Sequence, residues 1–390
     1  MELNSTGFKN FTQDYHKILC PVWPDFLDKY LSLSLITRLK GVGLLCGTDW
    51  TPFFKNNFYY SRFDHSVGVA LIVWNFTHDK AQTIAGLLHD VSTPAFSHVA
   101  DFRKGDSLTQ TATEEDNGSM LASSKELLEC LKLDGLTLED VNDYHKYPVA
   151  DNEVPQLSAD RLEYMFPSGA ALCGTWSLTE SFTLDEIKTI YGDLTVCKNE
   201  DGIIELGFKT QSIAELYCMR TTDIALFLQK CEDKMVMQFP AEILNLAVKL
   251  NLLKEDDFFE MSEREIIEKL DSAVGLKNGG ESLKSSCAAP QISDSADFKK
   301  LCTYYKTYRS FTSITRSDVP LDGHYCVNIQ VKKRYINPLV VTESSLNGKD
   351  TTLPDAKRLT QISPEWKKRI DDFLSYTDAP YSCVKLVQSF

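Results

Sequence analysis

Four side chains in this sequence have the types and order needed to close around one divalent cation: His65, the adjacent pair His89-Asp90, and the distant Asp160. Imidazole nitrogens combined with carboxylate oxygens suit Mn, Fe, Ni, Co or Zn better than Ca, with Mg as a further option. A metal held this way lowers the pKa of bound water and polarises the bond to be hydrolysed. Taken singly, each residue has an ordinary structural explanation. A His on an apolar helix is commonly a hydrogen-bonded core residue, and an Asp beside a helix start is commonly a cap. The residues alone leave both readings open.

The elements that must carry these groups can be read from periodicity. Adjacent helical residues point about 100° apart, so one ion meets both His89 and Asp90 only at a helix end or bend. The pattern over 81–91 predicts a helix with Ile84, Leu87 and Leu88 inward, and Pro94 interrupts it. His65 opens a second apolar helix over 64–77. Asp160 lies in a third over 156–166, with Leu157, Leu162 and Met165 inward. A bare carboxylate at such an inward end is costly unless paired or metal-bound. The other His-Asp pair, His78-Asp79, falls in a polar turn between helices and reads as a loop and cap.

The wording around these residues is more specific. Arg62-Phe63-Asp64-His65-Ser66-Val67-Gly68-Val69, Leu87-Leu88-His89-Asp90, Pro94-Ala95-Phe96-Ser97-His98 and Asp160-Arg161-Leu162-Glu163-Tyr164 resemble the H…HD…D signature of the HD-domain metal-dependent phosphohydrolases. The likeness is nearest to the branch containing the deoxynucleoside triphosphate triphosphohydrolases. It begins at Leu35-Ile36-Thr37-Arg38 and continues weakly to about Ser272. The resemblance implies one divalent metal on His65, His89, Asp90 and Asp160, and a homo-oligomer. It implies that Arg62 and Arg161 bind phosphate and that Tyr164 touches substrate; an ion pair with the site's own carboxylates is the alternative for both arginines. It also implies that His98 and Asp101 form a histidine–acid pair, which with Glu115 would handle protons.

The sequence departs from that branch at several points. Thr93 stands where a second His is usual, Glu115 where a catalytic His is expected, and Ser168 where an acid would hold a sugar hydroxyl. The helix that would grip a triphosphate reads Arg220-Thr221-Thr222-Asp223-Ile224-Ala225-Leu226-Phe227, with one cation. The expectation is a phosphohydrolase acting on a small phosphorylated substrate other than a standard dNTP, with other nucleotides among the candidates. The alternative is a metal-binding protein that has lost catalysis and serves as a ligand sensor or scaffold, which the replacements at Thr93 and Glu115 favour.

Composition frames these readings. The chain has 390 residues, 43% of them hydrophobic, with a formal net charge of −14. So acidic a surface disfavours nucleic acid and anionic membrane as partners. No run of about 18 apolar residues and no signal pattern at the start are present, which points to a cytoplasmic protein. Eleven cysteines without a C-x-x-C pair read as reduced, mostly buried thiols.

The fold expected is mainly α: an HD-domain helical core over 1–274, with a β-hairpin at 193–208, then a linker over 275–295. A small α+β lobe over 296–390 follows, with strands near 325–331, 338–341 and 381–387 and a helix at 364–376. Within the core, 1–24 reads as an irregular arm and 25–45 and 137–146 as helices. The polar stretch 103–117 reads as a loop beside the site, able to act as a lid.

Overall fold

The computed structural model describes residues 10–110, 117–175, 178–276, 295–342 and 353–388. Its principal helices are α1 (Phe11–Leu19), α2 (Arg62–Thr77), α3 (Lys80–Leu88), α4 (Val99–Arg103), α5 (Ala159–Leu172), α6 (Gln211–Phe227), α7 (Cys231–Lys249), α8 (Glu263–Val274), α9 (Ala296–Tyr308) and α10 (Pro364–Ser375). The fold is mainly α, as expected. Helix α2 is its hub, with α1, α3 and α5 packed on it. Its run from His65 to Val73 is buried on every side, the signature of a helix in the middle of a core.

Two small sheets complete the fold. Strands β1 (Leu194–Lys198) and β2 (Ile204–Phe208) form the expected hairpin, with Val196 opposite Leu206. Asn199 shapes the turn by accepting from the Asp201 and Ile203 amides. Strands β3 (Thr315–Ser317), β4 (His324–Val327), β5 (Leu339–Val341), β6 (Ala356–Arg358) and β7 (Tyr381–Lys385) come from the last quarter of the chain. β5 lies parallel to β2, giving a sheet ordered β1-β2-β5-β6, while β3, β7 and β4 make the second sheet. Buried Arg358 of β6 reaches Glu205 of β2 with both guanidinium ends, at 2.6 and 2.8 Å. Tyr325, Val327, Val331 and Ile336 share one continuous core with the helices. Residues 277–294 of the expected linker lie outside the described residues.

Four expectations need correction. The N-terminal arm contains α1, whose Phe11, Tyr15 and Leu19 recur at helical spacing and are buried. The stretch 25–45 is a series of short turns rather than one helix. Leu33 is extended at φ −63°, ψ 140°, and the Ser32 and Thr37 hydroxyls bond back onto carbonyls three residues earlier. The stretch 137–146 is likewise two 3-10 turns, Leu138–Asp140 and Tyr144–Lys146. There the Asp140 and Asp143 carboxylates capture backbone amides that a helix would need. Finally, Cys326 and Cys383 are disulfide-bonded; they face each other directly in the β4–β7 ladder. Eight other described cysteines are free thiols.

Candidate metal centre

The first turn of α2 is fixed by a capping box. Ser61 accepts from the Asp64 amide at 3.1 Å, and the Asp64 carboxylate returns to the Ser61 amide at 3.1 Å. Arg62 and His65, three apart, therefore leave the helix start on one side and line the same cavity. α3 is capped by Asp79, whose Oδ1 accepts from Ala81 and Gln82, and His78 ends α2 in the left-handed region at φ 52°. The pair His78-Asp79 is thus a turn and cap, as the sequence indicates.

His89 and Asp90 follow immediately after α3. The chain turns there, and Arg38 clamps the turn by donating to the carbonyls of Val91 and Thr93. Thr93 donates its hydroxyl to Asp90 Oδ1 at 3.0 Å. His89 donates Nδ1–H to the Gly86 carbonyl at 2.7 Å, which leaves the Nε2 lone pair facing inward. His65 gives its Nδ1 to the Glu163 carboxylate, so its Nε2 also faces inward.

The inward groups converge. The two Nε2 atoms are 3.2 Å apart, and His65 Nε2 is 3.1 Å from Asp160 Oδ1. His89 Nε2 is 3.7 Å from the same oxygen, and Asp90 Oδ2 lies 3.7 and 3.6 Å from the two nitrogens. With metal–donor bonds of about 2.1 Å, adjacent donors stand roughly 3.0 Å apart in an octahedron and about 3.4 Å in a tetrahedron. The observed separations, 3.1 to 3.7 Å, lie at or within a few tenths of an ångström of those values, so the donor set fits one metal ion. His65, His89 and Asp160 form the tight group, with Asp90 at its edge. Asp90 Oδ2 also accepts from Arg62 Nη1 at 2.7 Å. Burial alone would raise the Asp90 pKa, but the Arg62 guanidinium holds it well below the usual carboxylate range.

No protein-family model matches the chain. A metal-dependent phosphohydrolase of Cordyceps militaris, cns2, is 28% identical over 138 residues, which is 35% of this chain and 39% of that protein. The chain is similar to a metal-dependent phosphohydrolase. The uncharacterized protein YdhJ of Bacillus subtilis is 27% identical over 147 residues, covering 35% of this chain and 41% of YdhJ. The matches therefore span about two fifths of the length of these relatives. A crystal structure of a phosphohydrolase from Bacteroides thetaiotaomicron superposes with a TM-score of 0.56, covering 92% of this chain and 94% of that one at 13% identity. That likeness establishes the fold.

The other residues singled out in the sequence are distributed unevenly. Arg62, His98 and Tyr164 line the cavity with the donor set. His98 Nδ1 meets Asp101 Oδ2 at 2.9 Å, and burial lowers the imidazole pKa against the pull of that carboxylate. Arg161 turns away. It donates to the Gln156 carbonyl at 2.8 Å and to Asn152, and it pairs with Asp151 at 3.3 Å, a carboxylate outside the donor set. Arg220 is held outside by Glu180 and Glu186, and α6 presents Ile224 to the cavity instead. Glu115 lies outside the described residues.

Three residues that sequence reasoning passed over matter here. Glu163, fully buried one turn after Asp160, orients His65 and accepts the Tyr60 hydroxyl at 2.6 Å. The signal was an acid on the inward face of an apolar helix. Glu263 is buried at the start of α8 and accepts from the amides of Gly43 and Phe96 at 2.8 and 2.9 Å. It thereby holds the 94–98 turn, where Phe96 and Ser97 adopt φ of 66° and 50°. Burial raises its pKa to about 7. Arg334 reaches the cavity from the last quarter of the chain.

Proposed function

We propose that this protein is a metal-dependent phosphohydrolase of the HD type acting on a phosphate ester other than a standard dNTP, with other nucleotides among the candidates. The reading rests on one observation: two imidazole Nε2 atoms and two carboxylates meet within 3.1–3.7 Å, while the other nitrogen of each imidazole is engaged behind the site. His65, His89, Asp90 and Asp160 would hold one divalent transition-type metal, Mn, Fe, Ni, Co or Zn, with Mg a further option. Such a metal supplies an activated water and charge neutralisation at the phosphoryl group.

The chain's own residues do the rest. Glu163 and the Gly86 carbonyl keep both imidazoles in the tautomer that offers Nε2. Arg62 holds Asp90 ionised and in place. His98, backed by Asp101, faces the cavity, and burial lowers its pKa, which favours the neutral imidazole that can accept a proton. A triphosphate carries about four negative charges that fixed cations must meet. The helix that would grip it offers Ile224, Arg62 is already committed to Asp90, and the net charge of −14 opposes steering of a polyanion.

The test is phosphate release over panels of dNTPs, nucleoside monophosphates and sugar phosphates, with Mn, Co, Ni, Zn and Mg supplied in turn. Turnover of a monophosphate ester is expected. Efficient tripolyphosphate release from a dNTP would refute the substrate reading. Tight metal binding with no turnover anywhere would favour the sensor or scaffold alternative.

A further inference from the structure

We propose that Arg334 is the residue that grips the substrate's phosphoryl oxygens. This rests on the phosphohydrolase reading above and assigns to the C-terminal segment the role that the sequence pattern suggested for Arg161.

Residues 330–334 run extended along the stretch 107–110. Ser107 Oγ donates to the Gln330 carbonyl at 2.7 Å, the Lys332 amide to the Ser107 carbonyl at 3.1 Å, and Gln229 to the Lys332 carbonyl at 3.0 Å. Lys333 points away, to the carbonyls of Leu374 and Tyr376, while Val331, Lys332 and Arg334 line the cavity. Lys332 spends its ammonium on the Thr109 carbonyl at 3.0 Å. Arg334 donates Nη2 to Gln110 Oε1 at 2.6 Å, and its charge is felt at both Tyr164 and His98. It lines the same cavity as the donor set.

The decisive feature is the company it keeps. Among the described residues no carboxylate lies within ion-pair distance of Arg334, in a chain whose acids outnumber its bases by 14. Among the described residues, this half-buried guanidinium is a fork of donors held by a neutral amide and met by no carboxylate. That fork matches two oxygens of a phosphoryl group. Arg62, the other arginine lining the cavity, is already neutralised by Asp90.

The experiment uses the full chain loaded with Mn and inorganic phosphate as the probe. Phosphate affinity is measured by calorimetry, and KM and kcat are measured with p-nitrophenyl phosphate. Arg334→Gln should weaken phosphate binding by about ten- to a hundredfold, the worth of charge-assisted hydrogen bonds. It should raise KM more than it lowers kcat, with metal content unchanged. Arg334→Lys keeps the charge but loses the fork and should weaken binding severalfold; it carries the test if the Gln variant does not fold. Wild-type phosphate affinity in either folded variant overturns the proposal. A wild-type protein that binds phosphate through Arg334 yet hydrolyses no ester would overturn only the hydrolase reading. One that holds metal but binds no phosphate would overturn both.

Discussion

Gly68 sits on α2 against the Glu163 side chain of α5, and replacing it with Ala should damage the metal centre without touching a ligand. A Cβ there would lie 2.4 Å from Glu163 Oε1, 2.7 Å from its Cγ and 2.8 Å from its Cδ. The carboxylate cannot swing aside freely, because His65 and the Tyr60 hydroxyl both hold it. In an unobstructed helix interior, Gly→Ala stabilises by about 1 kcal/mol. Here overpacking should cost about 1–3 kcal/mol, so metal-free stability should fall by roughly 0–2 kcal/mol. Displacing the carboxylate that orients a ligating His should cost a further ten- to hundredfold in metal affinity, equivalent to about 1.4–2.7 kcal/mol. Urea unfolding in chelator and in saturating metal, with a chelator competition for affinity, separates the two losses. Glu163→Gln should show the same affinity loss, and the double variant should add little to it, since both act on one contact. A Gly68→Ala protein that is more stable by about 1 kcal/mol and binds metal as tightly as wild type would refute this account of the site.

Three other outcomes are expected. Asp90→Ala should abolish metal retention and destabilise by about 3–5 kcal/mol, because Arg62 is left buried without its counter-charge; full metal occupancy by elemental analysis would contradict it. Arg161→Gln should leave KM unchanged and cost about 1–3 kcal/mol in urea unfolding, since it strips a buried donor from the carbonyls of Asn152 and Gln156; a raised KM at unchanged stability would count against this. Asp233, buried in the cavity wall with its pKa pushed up by burial to about 7, makes stability fall as pH rises. The folded protein keeps a proton that the unfolded chain releases between about pH 4 and 7, a cost of up to about 4 kcal/mol above that window and roughly half that once water in the cavity is allowed for. Asp233→Asn should therefore be stabilising, more at pH 8 than at pH 5, and a pH dependence of unfolding identical to wild type would refute this.

The parts of the site that were legible in the sequence are those whose chemistry is local. His89-Asp90 at a helix end, the caps at Asp79 and Ser262, and the hairpin around Asn199 each follow from residues within one or two turns of each other. What stayed hidden depends on partners far along the chain. Arg161 has the composition of a phosphate ligand, yet the 151–156 loop beside it offers carbonyls and a carboxylate at shorter reach. Glu163 and Glu263 acquire their partners only when the fold brings imidazole, tyrosine and backbone amides onto them. The stretch 25–45 kept helical spacing in its apolar residues, but Ser32 and Thr37 compete for the carbonyls a helix needs. Nothing near Arg334 in sequence indicates a cavity, because its placement comes from the pairing of 330–334 with 107–110.

The parallel pairing of β5 with β2 has a consequence for how the protein is made. All four metal donors and Glu163 lie on α2, α5 and the turn after α3, so they leave the ribosome before residue 172. The wall bearing Val331 and Arg334 is held beside them by a strand that pairs backwards across more than a hundred residues. At about 5–20 residues per second, roughly 10–35 s pass between synthesis of Asp160 and of Arg334. The nascent chain thus presents its donors to the surroundings before it has the means to enclose them. If the donor set takes its ion at that stage, the choice of ion would be made by an open, early site.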